Sequence, residues 1–452
     1  MPIFIVYISA GYNPCGNGPL HIKKHLSFSA LRDAISKCAS GIVDGRQQSK
    51  VKYSLHDCLM SGLAMMFFQD PSLLCFQRRL QKSYNKNNLK TLFKVTAVPH
   101  DTQLRDVVDR VAPESLAPIF ADFISRMQRS KHLAAFSVLD GYYAISLDGS
   151  QYFSSERVNC PQCLQTRHSN GTIRYHHQIL QAAIMHPDMR QVLPLAPEFI
   201  EKQDGHEKQD CEINAAKRIL AKIRNAHAKL KIIIVGDGLY SKQPLIDSLK
   251  AHRMSYILVA KPTDHKTLFQ WVDDIFKLGD GHRLERTDIK GRRHIYRWAH
   301  GLPLNADEHC DNVNFFEYQL VEKGKVTYHN SWVTDLVVDA DNVAELVKTG
   351  RSRWKIENEV FNTLKNQGYH IEHNFGHGQK NLSSVFFILN LLAFLVHQIL
   401  EITDTQYQQL RADFTSRKDF WNQLRYTIRI LVFRDWAHLI AYLIDPPMIV
   451  PP

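Results

Sequence analysis

No stretch of the chain is apolar for long enough to cross a bilayer: the run Val385 to Val396 covers about twelve residues, against the ~20 that a spanning helix needs. It reads as a buried helix. Cysteine is sparse, eight residues in 452, and only Cys160 and Cys163 stand close together, so no disulfide framework is expected. The opening MPIFIVYISA is apolar but has no basic n-region and stops too soon for a secretory leader. These absences give the expectation of a cytoplasmic protein in a reducing compartment, with no membrane partner. Long repeats and low-complexity linkers are missing too, which excludes solenoids and disordered scaffolds.

What is present is an ordinary globular composition, 44% hydrophobic and 22% charged. The length allows two or three domains. The charge balance is basic, +11, which favours a polyanionic partner such as nucleic acid; a merely basic enzyme is the plainer alternative. Between Pro71 and His100 there is no acidic residue at all. Arg78, Arg79, Lys82, Lys86, Lys90 and Lys94 alternate there with Phe76, Tyr84 and Phe93. That mixture suits a surface following a phosphate backbone, with Arg78, Arg79 and Lys82 as candidate DNA contacts, although a solvated helix face has the same composition.

The hydrophobic period changes along the chain. Residues 1 to about 130 read as a helical, basic region, with Leu59, Leu63, Met66 and Phe67 at helical spacing and Pro71 closing that helix. Alternation up to Asp148, an extended stretch from Thr172 to Ile184 and a short strand at Val192 to Leu195 predict a three-strand meander. A helix over 210–229, the buried-type run Ile232 to Val235, a helix over 242–252 and a strand over 256–260 complete a β-β-β-α-β-α-β order. The class is therefore α/β, a mixed sheet covered by helices. From Lys261 to Ala340 the two-fold period returns, with turns at Lys290-Gly291 and Lys323-Gly324-Lys325, and predicts a β-rich insertion. Helical spacing resumes at Val343 and continues to Leu443; the Pro-rich tail from Pro446 is expected to fray. The boundaries drawn are a helical, basic region 1–130, a first catalytic part 131–263, an insertion 264–340, a second catalytic part 341–400, and a helical C-terminal region 401–452.

Phosphodiester transfer by paired divalent ions needs hard oxygen ligands on rigid elements. Asp148 ends an apolar alternating strand and Asp237 ends the central hydrophobic one, and each precedes a glycine that leaves room for a metal and a phosphate. A helix packed across the same sheet edge can add a third carboxylate, and Glu357 lies on such a helix. Arg353 stands one turn before it and Lys365 about two turns after, a basic line able to hold phosphates, while Trp354 offers a face for a base. Singly, an Asp-Gly is a turn and an Arg four residues before a Glu is a surface ion pair. The ordered combination of three is what points to chemistry. Asp140, also before a glycine, competes with Asp148 but reads as the preceding hairpin turn; Glu359 competes with Glu357.

The segments LDGSQYF (147–153), GDGLYSKQPLI (236–246) and RWKIENEVFNTLK (353–365) resemble the three catalytic blocks of bacterial insertion-sequence transposases of the DDE type, in the Tyr-Arg-Glu-Lys motif group. The resemblance covers roughly residues 45 to 400. It implies a ribonuclease-H-like domain interrupted by a β-rich insertion before the glutamate helix, and Asp148, Asp237 and Glu357 as catalytic metal ligands. It also implies Mg²⁺ or Mn²⁺ as cofactor, and Arg353, Trp354 and Lys365 as DNA contacts. The partners implied are double-stranded DNA, both the terminal inverted repeats of an element and its target, and a second copy of the chain in the DNA complex. The location would be the bacterial cytoplasm, at the nucleoid. In this chain Gly350 stands where the motif has tyrosine, and Lys365 falls one residue later than the usual spacing. A nuclease of the same fold that no longer joins strands, or a DNA-binding protein descended from a transposase, are the competing functions.

A second group follows the first aspartate: Cys160, Cys163, His168, His176 and His177. A C-x2-C pair with histidines downstream supplies ligands that tetrahedral Zn²⁺ accepts, so a structural zinc at Cys160 and Cys163 is one reading. On a strand, His176 and His177 point to opposite faces, so only one of them serves. The other reading is a loop of reduced thiols with DNA-facing histidines. The polar loop His373, Asn374, Phe375, Gly376, His377, Gly378 reads as a turn near the active edge, at most a DNA contact.

Overall fold

The computed structural model describes residues 24–80, 83–202 and 211–446. The opening decapeptide, Lys82 and the tail after Pro446 lie outside the described residues. Strands β1 (Ser137–Val138), β2 (Tyr142–Ser155), β3 (Leu164–Arg167) and β4 (Ile173–Met185) come first, followed by the short β5 (Leu193–Pro194) and β6 (Glu198–Ile200). The helix Glu212–Ala226, β7 (Lys231–Gly236), the helix Gln243–Ala251 and β8 (Ser255–Val259) come next. After the helix Lys266–Leu278, β9 (His282–Thr287), β10 (Arg293–Pro303), β11 (Asn312–Glu322) and β12 (Lys325–Thr334) complete a 12-stranded sheet.

Pairing follows from burial. β7 carries Ile232, Ile233, Ile234 and Val235, all buried, so it needs cover on both faces and sits at the centre, parallel to β2 on one side and to β8 on the other. β4 runs antiparallel to β2, and its outer edge takes β3, β6 and β5 in turn. An antiparallel meander followed by two strands parallel to the first, each reached through a helix, is a ribonuclease-H-like sheet. Asp140 and Gly141 form the turn between β1 and β2, both at positive φ, which places Asp140 just before the start of β2 and Asp148 well inside it.

The β-rich segment joins this sheet directly, since β12 pairs antiparallel with β8 (Trp332 opposite Val259). Its hairpin turns fall at Lys290-Gly291 and Lys323-Gly324, as the sequence predicts. Its first part differs: residues 266–278 are helical, not extended. Leu268 and Val272 are buried four residues apart, and Gly279, in the left-handed region at φ 85°, terminates the helix.

Helices flank the sheet at both ends of the chain, from Phe28–Gly41 to Pro118–Arg129 and from Leu382–Thr403 to Trp436–Ile444. The helix Leu382–Thr403 is longer than its apolar run suggested. Its 22 residues are long and apolar enough to cross a bilayer, but 89% of its most apolar window is buried inside the protein. Leu55–Phe67 packs closely on it because Gly62 faces Leu389, whose Cδ1 would lie 2.9 Å from an added Cβ.

Candidate active site

The parallel register pairs Ser146 of β2 with Val235 of β7, so two residues further along Asp148 stands level with Asp237. Asp237 directly follows the end of β7, but Asp148 does not end its strand as the sequence suggests: β2 continues to Ser155 because its other edge stays paired with β4. Each carboxylate is met by a nearby backbone N–H: within β2 the Gly149 N–H donates to Asp148 Oδ1 at 3.0 Å, and in the turn after β7 the Leu239 N–H donates to Asp237 Oδ1 at 2.9 Å. Behind Asp237, His265 Nε2 lies 2.7 Å from the Ser241 carbonyl and 3.0 Å from its hydroxyl, holding the loop that leaves the strand.

Glu357 approaches from a helical segment packed against β2. Arg353 Nη1 lies 2.7 Å from Glu357 Oε1, and the Glu357 side chain is 49% exposed. Residues Ile356–Phe361 form a π turn, with the Asn362 N–H donating to the Glu357 carbonyl five residues back. A π turn takes in one residue more than an α turn. The widened turn lies between Glu357 and Lys365, where the sequence has one residue more than the usual spacing. Lys365 Nζ pairs with Glu372 at 2.8 Å. Gly350 has no room for a tyrosine, because an added Cβ would meet Trp332 Nε1 at 2.9 Å and Ile257 Cγ2 at 3.0 Å. Trp354 is 45% exposed with Lys355 Nζ 5.0 Å from its ring centre. Glu359 faces Arg190 at 3.9 Å.

A fourth carboxylate, absent from the sequence reading, belongs to the same place. Glu212 opens the helix that crosses from the meander to β7, and a side chain at Gly149 would collide with its carboxylate. The Tyr240 hydroxyl donates to Glu212 Oε1. Glu212 lies in no recognisable motif; its one signal is its place in the first turn of a helix that begins beside Asp148 and Gly149. The electrostatics register the gathering. Burial pushes the Asp148 carboxyl up to about 7; Arg353 opposes the rise, and Glu357, Glu212 and Asp237 add to it. Burial and the neighbouring Glu212, Asp148 and Asp237 hold the Tyr240 hydroxyl well above its ordinary range. Four carboxylates against one guanidinium leave a cluster of hard oxygen donors with excess negative charge, a set that suits divalent cations. Lys261 is exposed beside this edge, its Cε 3.5 Å from where a Cβ on Gly238 would lie.

The basic stretch of the N-terminal region divides. Arg79 is not a free DNA contact: it is locked to Asp70 through Nε at 3.0 Å and Nη2 at 2.5 Å, with side chains 8% and 3% exposed, and it lies over Phe68 and Phe76. Lys94 pairs with Asp33 at 2.8 Å. The acids missing from the stretch come from outside it. Arg78 and Lys90 are exposed.

Of the Cys/His group, Cys160, Cys163 and His177 come together, and His377 joins them from the loop after the glutamate helix. That loop is therefore more than a turn. His168 lies in the exposed β3–β4 turn and His176 outside the cluster, so one of the adjacent histidines serves, as strand alternation requires.

A ribonuclease-H-like sheet with acidic side chains gathered where the parallel pairing of its central strands stops is a framework of enzymes that cut and join nucleic acids. Residues 160–395, just over half of the chain, match the family described as the transposase DDE domain, and the chain belongs to that family. Asp237 and Glu357 fall inside the matched span; Asp148 precedes it. Among solved structures, the cryo-EM structure of a piggyBac transposase synaptic complex with hairpin DNA is similar at TM-score 0.37 and 10% identity, covering 94% of this chain and 81% of that one. No curated protein matches the sequence.

Proposed function

We propose that the chain is an insertion-sequence transposase that cleaves DNA and transfers the cut strands, with Asp148, Asp237 and Glu357 as its catalytic carboxylates and Glu212 as a fourth member of the site. The observation that carries this reading is that Asp148 of β2 has Asp237, just after β7, and Glu357 and Glu212, from two helices, as charged neighbours at one place on a ribonuclease-H-like sheet. Mg²⁺ or Mn²⁺ held by these carboxylates would polarise the scissile phosphate and acidify the attacking hydroxyl.

The chain's own residues do the rest. Asp148 is rigid because it lies within β2, paired with β4, and Asp237 because it directly follows the buried β7, while Glu357 is held by Arg353 until substrate arrives. Arg353 then offers its planar guanidinium to a phosphate, for which a bidentate contact is well suited. Lys365 and the exposed Arg78 extend the basic track, and the exposed Trp354 ring can stack on a base. Tyr240 orients Glu212 and keeps its own proton. The substrate is double-stranded DNA, the terminal repeats of an element and then its target, engaged by two copies of the chain in the bacterial cytoplasm.

The test is a strand-cleavage and strand-transfer assay on end DNA with Mg²⁺. Transfer products that vanish in Asp148→Asn, Asp237→Asn and Glu357→Gln support the reading. Cleavage without joining would reassign the protein as a nuclease, and an Asp237→Asn variant that transfers strands like the parent would overturn the proposal.

A further inference from the structure

We propose that Cys160, Cys163, His177 and His377 bind one structural zinc ion. The four candidate ligand atoms lie within 4.8 Å of one another. Cys160 Sγ is 3.7 Å from Cys163 Sγ and 3.5 Å from His177 Nε2. Cys163 Sγ is 3.6 Å from His177 Nε2 and 3.4 Å from His377 Nε2. Ligands at the usual Zn–S and Zn–N lengths around a tetrahedral ion stand roughly 3.4 to 3.8 Å apart, so these spacings are those of a filled Cys2His2 shell. They exclude a disulfide, whose sulfurs would be about 2.05 Å apart.

The surroundings suit a closed site. Cys160, Cys163, His177 and His377 are all buried, at 6%, 0%, 3% and 7% exposure. Tyr152 stacks on the His177 ring at 5.7 Å, and Phe153 covers His377 at 4.2 Å. Cys160 N–H lies 3.4 Å from Cys163 Sγ, a contact that favours a thiolate there. His377 Nδ1 is buried without a partner, so the polar business of this imidazole is all on the side of the thiols. Four protein ligands leave no open position, which makes the site structural and not catalytic.

The ion would join parts of the chain far apart in sequence. Cys160 and Cys163 sit in the loop between β2 and β3, His177 is on β4, and His377 belongs to the return from the glutamate helix to the helix Leu382–Thr403. The same return is pinned from its other side by Asp109, whose carboxylate accepts N–H bonds from Gln379, Lys380, Asn381 and Leu382 at 2.9 to 3.1 Å. Zinc and Asp109 together fix how the chain leaves the segment that carries Glu357. This inference stands on the Cys/His geometry alone and is independent of the proposed catalytic reading.

The experiment uses full-length protein carrying no polyhistidine tag, purified without chelator. Elemental analysis should find about one zinc per chain. Cys163→Ser and His377→Ala should each lose it, and Cys38→Ser, distant from the cluster, should keep it. Cobalt exchanged into the parent protein should give thiolate-to-cobalt charge transfer and the intense visible bands of a tetrahedral ion, a readout that does not depend on any variant folding. Zinc-free parent protein that neither takes up zinc nor gives the tetrahedral cobalt spectrum would overturn the proposal. So would stoichiometric zinc in Cys163→Ser, or a Cys160–Cys163 disulfide in the freshly purified parent.

Discussion

The acidic cluster and the Cys/His cluster share strand β2, with Asp148 on one and Tyr152 and Phe153 lining the other, yet they treat charge and solvent in opposite ways. The carboxylates are partly exposed, gathered from four elements, and exceed their single arginine in charge. The thiols and imidazoles are buried, matched in spacing and roofed by aromatic rings. Hard, crowded oxygens open to solvent suit a metal that must also admit a substrate; soft ligands closed on all sides suit one that only holds chain together. Removing a ligand from the first cluster relieves repulsion, whereas removing one from the second leaves buried polar groups without purpose.

The strongest break of this contrast comes from Asp237→Asn. The shape is kept and a charge is lost, so under the proposed role of Asp237 as a metal ligand Mg²⁺-dependent cleavage and joining should both fall by on the order of 10³-fold or more. Melting temperature and zinc content should stay level, read by calorimetry and elemental analysis on one preparation. A structural Asp237 would reverse the pattern, losing stability of ~1 to 3 kcal/mol with activity falling only in proportion.

Next in size is Arg79→Ala. It strands Asp70, which is 3% exposed, and should cost about 3 to 5 kcal/mol in chemical unfolding, with recovery in the Arg79→Met/Asp70→Asn pair. An Arg79→Ala protein as stable as the parent but with a flattened salt dependence of DNA binding would return Arg79 to the DNA surface.

Arg79 also marks the limit of what the sequence could tell. Local signals were readable: the strand run into Asp237, the two hairpin turns at 290–291 and 323–325, and the glutamate helix are all features of a few adjacent residues. The end of the first strand was not, since β2 passes through Asp148-Gly149 to Ser155 on the support of β4. Partnerships across long separations were not. An acid-free stretch looked like a DNA face because Asp70 lies just before it and Asp33 well upstream. Glu212 joined the catalytic edge only through the sheet's topology. His377, 200 positions after His177, completed the Cys/His shell only once the return loop was in place. The helix at 266–278 was misread because apolar residues at its solvent side, such as Trp271 at 51% exposure, obscured the helical period.

A smaller effect tests the repulsion itself. The Asp148 carboxyl titrates at about 7 in the folded chain, against about 3.9 unfolded, so the native state holds the extra proton between those values. The stabilisation is complete below pH ~4 and is lost as pH rises through about 7. Metal-free protein should therefore lose on the order of 1 to 2 kcal/mol across that window, after allowance for solvent screening. Asp148→Asn should flatten the profile, and Mg²⁺ should do the same in the parent. At subsaturating Mg²⁺, cleavage should rise through neutral pH, and more Mg²⁺ should move that rise downward, because metal and proton compete for the same oxygens. A metal-free stability profile that climbs from pH 5 to 8 would mean that burial, with the neighbouring carboxylates adding to it, does not raise the Asp148 carboxyl.

The smallest effect separates Arg78 and Lys90 from the salt-bridged Arg79 and Lys94, of which only Arg79 has a buried side chain. Arg78 and Lys90 are exposed, whereas Arg79 and Lys94 are already paired with Asp70 and Asp33. If the N-terminal region follows the DNA backbone, it does so with the unpaired pair. Each phosphate contact removed should lower the slope of log affinity against log salt by about 0.9 on duplex DNA. The Arg78→Ala/Lys90→Ala double variant should thus shallow the slope by roughly two units if both residues touch phosphate and by one if only Arg78 does. Its melting temperature should not move, because neither side chain holds a buried partner. Fluorescence anisotropy on end DNA across a salt series gives the slope, and a slope equal to the parent's would make this surface a solvated helix face, leaving Arg353 and Lys365 as the chain's phosphate contacts.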